Sequence, residues 1–184
     1  MIARNQSGDH GDVASGLAPG APGRVNGTPR LRTWGGNKSV RLRGFDYSEH
    51  VPYHVVVRAV GHSTPFVDDR LATSCCRLLV DVCDKLNAYL GCYCLMPDHL
   101  HILLSPDQSG LQLGSILGRY KSLTTRQSWT FGHCGRLRQP RFYVHIVRKS
   151  EDIVAVARYI YENPDRKGLE KEYPYRWFDP AVAR

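Results

Sequence analysis

Met96-Pro97-Asp98-His99-Leu100-His101-Ile102-Leu103-Leu104 is the stretch on which the reading of this chain turns. Pro97 and Asp98 read as a turn, and the residues after them alternate as a strand. Side chains two apart on a strand share a face, so His99 and His101 point at one spot. Leu100, Ile102 and Leu104 project from the other face as an apolar stripe that anchors the strand in a core.

Upstream, Tyr53-His54-Val55-Val56-Val57-Arg58-Ala59-Val60 is β-branched and bounded by Pro52 and Gly61, which predicts a first strand. Asp68 or Asp69 can cap a helix running to about Leu90, with Leu71, Cys75, Leu78, Leu79, Val82, Cys83 and Leu86 at helical spacing. A second strand is expected from Gly91 to Met96, and the His strand runs to Ser105. Leu111 to about Ser128 reads as a basic helix, with Leu113, Ile116, Leu117 and Tyr120 inward. Phe142 to Val147 predicts a fourth strand. This β-α-β-β-α-β order specifies an α+β fold with a ferredoxin-like (RRM-like) antiparallel sheet, in which the two crossovers set the first and third strands side by side. The His strand is therefore expected to be central.

A further helix is predicted from Glu151 to about Asn163, stopped by Pro164, with Ile153, Val156, Ala157 and Ile160 as its core stripe. Tyr159 and Asn163, four apart, lie one turn above the other on its flank. Gly168 to Arg184 reads as a loop-rich aromatic stretch that packs back on the domain.

The 184 residues suffice for one domain, expected over 45–184. Residues 1–44 are rich in Gly and Pro, show neither helical nor strand period, and are expected to be a disordered basic tail. No apolar run approaches the roughly 20 residues of a membrane span, and the N-terminus lacks the apolar core of a secretory signal, so a cytoplasmic protein with no membrane partner is expected. The six cysteines sit mostly in apolar runs, as reduced buried thiols do.

The formal net charge is +8, and seven Lys/Arg against Asp9 and Asp12 place +5 of it in residues 1–44. Between Asp107 and Glu151 no acidic residue occurs, whereas Arg119, Lys121, Arg126, Arg136, Arg138, Arg141, Arg148 and Lys149 do. Such a run suits a phosphate-binding surface, against the plainer reading of a solvated face. Trp129, Phe131 and Tyr143 in the same interval are either stacking platforms for unpaired bases or core.

Two histidines on one face can hold a divalent metal, with Asn163 or Asp98 supplying a third, oxygen ligand. Such an ion acts as a Lewis acid on a phosphate oxygen, and Tyr159 would then be a nucleophile that forms a phosphotyrosine link. Because one phosphodiester replaces another, the step is reversible and suits strand transfer.

Pro97-Asp98-His99-Leu100-His101 resembles the His-hydrophobic-His (HUH) motif. Ala157-Arg158-Tyr159-Ile160-Tyr161-Glu162-Asn163-Pro164, followed by Lys167-Gly168-Leu169, resembles the tyrosine helix of the single-tyrosine, IS200-like transposase superfamily, and among its members the REP-associated tyrosine transposases most. The resemblance runs from about Tyr53 to Trp177. It implies metal ligation by His99 and His101 with assistance from Asn163, Mg²⁺ or Mn²⁺ as the cofactor, and Tyr159 as the catalytic nucleophile. It further implies single-stranded DNA beside a hairpin as substrate, cleaved to a 5′-phosphotyrosine and a free 3′-hydroxyl, by a monomer or homodimer working at the nucleoid. Two departures stand out: Val144 replaces an acidic residue usual before the histidine of the Arg141–His145 segment, and the N-terminal tail is outside the pattern.

Plainer readings accompany each residue. The histidines could be a hydrogen-bonded structural pair, or share a structural zinc with Cys92 and Cys94 on the neighbouring strand. Tyr159 could be a packed aromatic, and Tyr161, about 200° further round the helix, is the rival nucleophile. His145 could face DNA, the site or neither. A non-catalytic hairpin-DNA-binding regulator or chromosome-structure protein of the same fold is the alternative to the enzyme.

Overall fold

The computed structural model describes residues 45–148 and 151–183; the expected tail over residues 1–44 and Lys149 lie outside the described residues. Five strands, β1 (Tyr53–Arg58), β2 (Tyr89–Leu95), β3 (His99–Ser105), β4 (Tyr143–Ile146) and β5 (Arg176–Phe178), form one sheet in the order β4-β1-β3-β2-β5. Every neighbouring pair is antiparallel. The His strand is central, between β1 and β2, as the order of elements predicts.

Helices α1 (Asp69–Lys85) and α2 (Leu113–Trp129) pack on one face of the sheet. Their apolar stripes, Leu71, Cys75, Leu79 and Val82 on α1 and Leu113, Ile116, Leu117 and Tyr120 on α2, close a core with Val55, Val57, Leu100, Ile102 and Leu104. Asp68 caps α1, its carboxylate accepting from the backbone N–H groups of Arg70 and Leu71. The helix stops at Lys85, five residues short of the expected end. Asn87 takes a left-handed backbone (φ 52°), which an asparagine tolerates, and Tyr89 already belongs to β2.

The other face carries the histidines and is covered by α3 (Ile153–Tyr161). Asp152 caps α3 through the N–H groups of Val154 and Ala155, and Val156, Ala157 and Ile160 pack on Cys92, Cys94, Met96 and Leu103. The expected single helix ending at Pro164 is instead two. A break at Glu162 separates α3 from the short α4 (Asn163–Arg166), in whose first turn Pro164 sits, where its missing N–H costs nothing.

The C-terminal stretch does more than pack back: Arg176–Phe178 pairs with Cys92, Tyr93 and Cys94 as the fifth strand. Between Leu90 and Cys92 the β2–β3 register shifts, and the glycine at that irregularity is closely hemmed in. A Cβ at Gly91 would lie 3.1 Å from Val182 Cγ2 and 3.3 Å from Leu103 Cδ2.

Candidate active site

Strand register assembles the site. Val56 pairs with His101, Arg58 with His99 and His54 with Leu103, so His54, Arg58, His99 and His101 all point to the α3 side. On the outer flank His54 pairs with His145 and Val56 with Tyr143, extending the same face across β4.

Three imidazoles form a chain. Nε2 of His54 lies 3.0 Å from Nδ1 of His101, and Nε2 of His101 lies 3.0 Å from Nε2 of His99. Nδ1 of His99 in turn is hydrogen-bonded to Oδ1 of Asp98. His54 and His101 are buried, at 6% and 7% exposure. Burial, with a smaller push from His145, takes His54 down to about 4. Burial also lowers His101 well below the usual imidazole range, with His54 and His99 adding to it. His99 is lowered by burial against the opposing pull of Asp98. All three rings are therefore neutral at physiological pH.

This chain of rings tests whether the residues suit a metal. In the tautomers that let the outer nitrogens donate, Nδ1–H of His99 to Asp98 and Nδ1–H of His101 to His54, both Nε2 atoms carry lone pairs. Two acceptors then face each other across 3.0 Å, an arrangement that a cation reconciles. That separation also matches two adjacent ligands at roughly 2.1 Å from an octahedral ion. The pair fits a divalent metal, although among the described residues no group of three or more His, Cys, Asp or Glu side chains converges on one ion position. A third protein ligand must therefore be of another type or be absent.

Asn163 is buried, and its Nδ2 donates to the carbonyl of Tyr159 at 2.8 Å and of Ile160 at 3.4 Å. The amide thus closes the end of α3 and keeps Oδ1 as the acceptor it can offer. Asp98 is engaged behind His99 and lies 3.7 Å from the Arg58 guanidinium, which makes it an orienting group.

Tyr159 and Tyr161 diverge as a separation of about 200° requires. The Tyr159 ring sits 6.1 Å from that of His54 and 6.2 Å from that of His101, with the Arg166 guanidinium 5.3 Å from its centre. Tyr161 instead lies under Arg176, at 4.5 Å, and edge-on to Phe178. Cys92 and Cys94 share the histidine face but belong to the core beneath α3. Cys92 Sγ donates to the Ala157 carbonyl, Cys94 Sγ lies 3.7 Å from Met96 Sδ, and burial pushes both thiols up to about 12. Neither thiol converges with the histidines on one ion position among the described residues.

The basic interval is divided by the fold. Arg119 and Arg126 are exposed on α2, in the layer away from the histidines, while Arg136, Arg141 and Arg148 are exposed in the segments flanking β4. Lys121 is a strap, its Nζ donating to the carbonyls of Gln139 and Pro140 at 3.0 and 2.8 Å. Arg138 corrects the expectation of a phosphate contact: it is 1% exposed, sandwiched between Phe66 and Tyr120 at 4.5 and 4.9 Å, and donates to the Tyr120 hydroxyl. Its bridge to Ala59 at the end of β1 turns the side chain into the helical layer. His145 faces the site side, and its Nε2 pairs with Glu151 Oε2 at 2.7 Å. Burial works to raise Glu151, but this contact and the nearby cations leave its carboxyl below the usual range.

Sequence pattern alone overlooks His54 as a site residue. Its only signal is even spacing from Val56 and Arg58, which gains meaning once β1 is set in register beside the His strand.

A central His-x-His strand on a ferredoxin-like sheet, faced by a tyrosine-bearing helix, defines a single-tyrosine transposase domain. The chain belongs to the IS200-like transposase family, whose pattern residues 47–163 match. Over 103 residues it is 27% identical to a Haemophilus influenzae protein assigned as a REP-associated tyrosine transposase, covering 48% of this chain and 58% of that one. The chain thus spans little more than half the length of that relative. A solved structure of a REP-associated tyrosine transposase bound to a REP hairpin superposes with a TM-score of 0.62 at 20% identity, over 78% of this chain and 86% of that one. At that identity the likeness establishes the shared fold. No helix among the described residues is long and apolar enough to cross a membrane.

Proposed function

We propose that this chain is a metal-dependent endonuclease and strand transferase that acts on single-stranded DNA beside hairpins, through a 5′-phosphotyrosine intermediate at Tyr159. The observation that carries the reading is the position of Tyr159, whose ring lies about 6 Å from two of the three linked histidines while Tyr161 is turned away. Membership of a transposase family supports the same chemistry. The hairpin held by the structural relative suggests the kind of DNA.

His99 and His101, with the Asn163 oxygen, would hold Mg²⁺ or Mn²⁺, and a bound divalent ion supplies Lewis-acid polarisation of a phosphate oxygen. The protein's own groups do the rest. Asp98 and His54 fix the two ligand rings by holding their Nδ1 atoms. Tyr159 Oη attacks phosphorus, the Oη–P bond forms as the P–O3′ bond breaks, and the phenol proton ends on the departing 3′-oxygen. The fragment bearing the 5′-phosphate stays on the enzyme, and the free 3′-hydroxyl of the other fragment can reverse the step. Arg136, Arg141 and Arg148 beside β4 are the members of the basic set best placed to meet DNA on this face. The enzyme would act at the nucleoid, as a monomer or homodimer.

The test is a denaturing gel of wild type, Tyr159→Phe and Tyr161→Phe with labelled hairpin DNA bearing a single-stranded flank, in Mn²⁺, Mg²⁺ or EDTA. A metal-dependent covalent adduct lost only in Tyr159→Phe is expected. Tight binding without an adduct from any of the proteins would instead make this a DNA-binding regulator of the same fold.

A further inference from the structure

The second tyrosine of the helix has no part in that mechanism, yet it lines an open groove of about 580 Å³ between α3 and β5. Val154, Arg158 and Tyr161 contribute one wall, and Arg176, Trp177 and Phe178 the other. We infer that this groove is a stacking subsite for an unpaired nucleotide of the substrate strand, on the flank of α3 opposite the histidines. The inference rests on the single-stranded-DNA reading above.

The groove offers both parts that a nucleotide needs, a flat apolar surface and a free positive charge. The flat surface is rigid. Arg176 lies over Tyr161 at 4.5 Å and is fixed there by its bonds to the Tyr161 carbonyl, Asp165 and the Lys171 carbonyl. Its charge is met by Asp165, so it acts as a platform more than as a phosphate ligand. Phe178, on the same face of β5 as Arg176, stands edge-on to Tyr161 at 6.4 Å and adds aromatic surface to the groove, whereas the Trp177 indole turns to the other face of the sheet and stacks on Tyr93. The free charge is Arg158, exposed and with no ion-pair partner among the described residues.

Position argues for the substrate strand over other anions. Arg158 adjoins Tyr159 in sequence, and Tyr161 follows it by two residues, so groove and nucleophile are separated by about the diameter of one helix, ~10 Å. Round the helix surface this is a path of roughly 16 Å, about five nucleotides at the ~3.4 Å spacing of stacked bases. A strand held at Tyr159 can reach the groove without leaving the protein surface.

The test uses the full chain carrying Tyr159→Phe, so that DNA stays intact, and hairpin DNA whose single-stranded flank carries 2-aminopurine at successive positions. Quenching at one or two flank positions is expected, and it should disappear in Phe178→Ala and Arg158→Ala. Each change should weaken binding of the flanked DNA about tenfold and leave binding of the blunt hairpin unchanged. Arg158 is an exposed side chain, so its variant remains informative should Phe178→Ala fold poorly. Unaltered quenching and affinity in both variants would overturn the subsite while leaving the DNA reading intact. Failure of the parent protein to bind the flank at all would overturn both. Loss of self-association in Phe178→Ala, without loss of DNA binding, would overturn the subsite in favour of a contact between copies of this chain.

Discussion

Nε2 of His54 sits 3.0 Å from Nδ1 of His101, so a residue from the first strand sets the ring orientation of a histidine on the third. The partner of a ligand histidine fixes its tautomer and raises its basicity. Replacing His54 by Ala is therefore expected to weaken Mn²⁺ binding by roughly 10- to 100-fold, measured by calorimetric titration. Adduct formation should recover partly at raised Mn²⁺. Metal affinity equal to wild type would remove His54 from this role.

The same burial makes the metal-free fold acid-sensitive. His54 titrates near 6.5 in an unfolded chain and at about 4 in the fold. Between those values the unfolded chain binds more protons, so the contribution of neutral His54 is fully present above about pH 6.5 and is lost as pH falls toward 4. His99 and His101 move in the same direction. In EDTA, the stability read from urea unfolding should fall between about pH 7 and pH 5 by a few kcal/mol, since each tenfold difference in proton affinity between folded and unfolded chains is worth about 1.4 kcal/mol. The change should shrink in His54→Asn. A flat urea midpoint across this range would contradict the buried neutral chain.

Arg138 offers a stability test remote from the site. Its Nε and Nη1 are buried without hydrogen-bond partners among the described residues, and Tyr120 provides its hydrogen bond at 2.7 Å. Tyr120→Phe leaves a further N–H unsatisfied and should cost about 1–3 kcal/mol by urea denaturation. Arg138→Met removes the charge together with its unmet bonds and should be neutral or stabilising by up to about 4 kcal/mol. The reverse ranking would show that the guanidinium has further partners.

Thiol chemistry should sort the cysteines. Cys134 is exposed, whereas Cys75, Cys83, Cys92 and Cys94 are buried, and burial pushes Cys83, Cys92 and Cys94 up to about 12. With a chromogenic disulfide at about pH 8, Cys134→Ser should abolish the fast phase, and the buried thiols should react only as the protein unfolds. A second fast thiol from Cys92 or Cys94 would mean that α3 lifts from the sheet.

Much of this architecture is legible in local pattern. The alternation of Leu100, Ile102 and Leu104 against His99 and His101 gives the strand and its two faces, and the order of elements makes it central. The roughly 3.6-residue helical repeat separates Tyr159 from Tyr161, and the resemblance of Ala157–Pro164 to the tyrosine helix, with the Asn163 register, singles out Tyr159 as the expected nucleophile. What escapes depends on pairing across the sheet. His54 joins the site only through register, and Arg138 looks like its exposed neighbours until its bridge to Ala59 points it inward. β5 is three residues long, too short to show a period, and its partner lies more than 80 positions earlier. Pro164 signals a helix boundary but not that a new turn begins there.

That late strand has a mechanical meaning. α3 is only nine residues long, and much of what holds its C-terminal end follows it in sequence: Arg176 grips the Tyr161 carbonyl, and the Tyr173 hydroxyl donates to the Leu95 carbonyl in β2. In the proposed covalent state a DNA strand hangs from Tyr159, and tension along it pulls on a short helix. The Arg176 and Tyr173 tethers would pass that load into the sheet and keep Tyr159 beside the histidines while the strand is under strain.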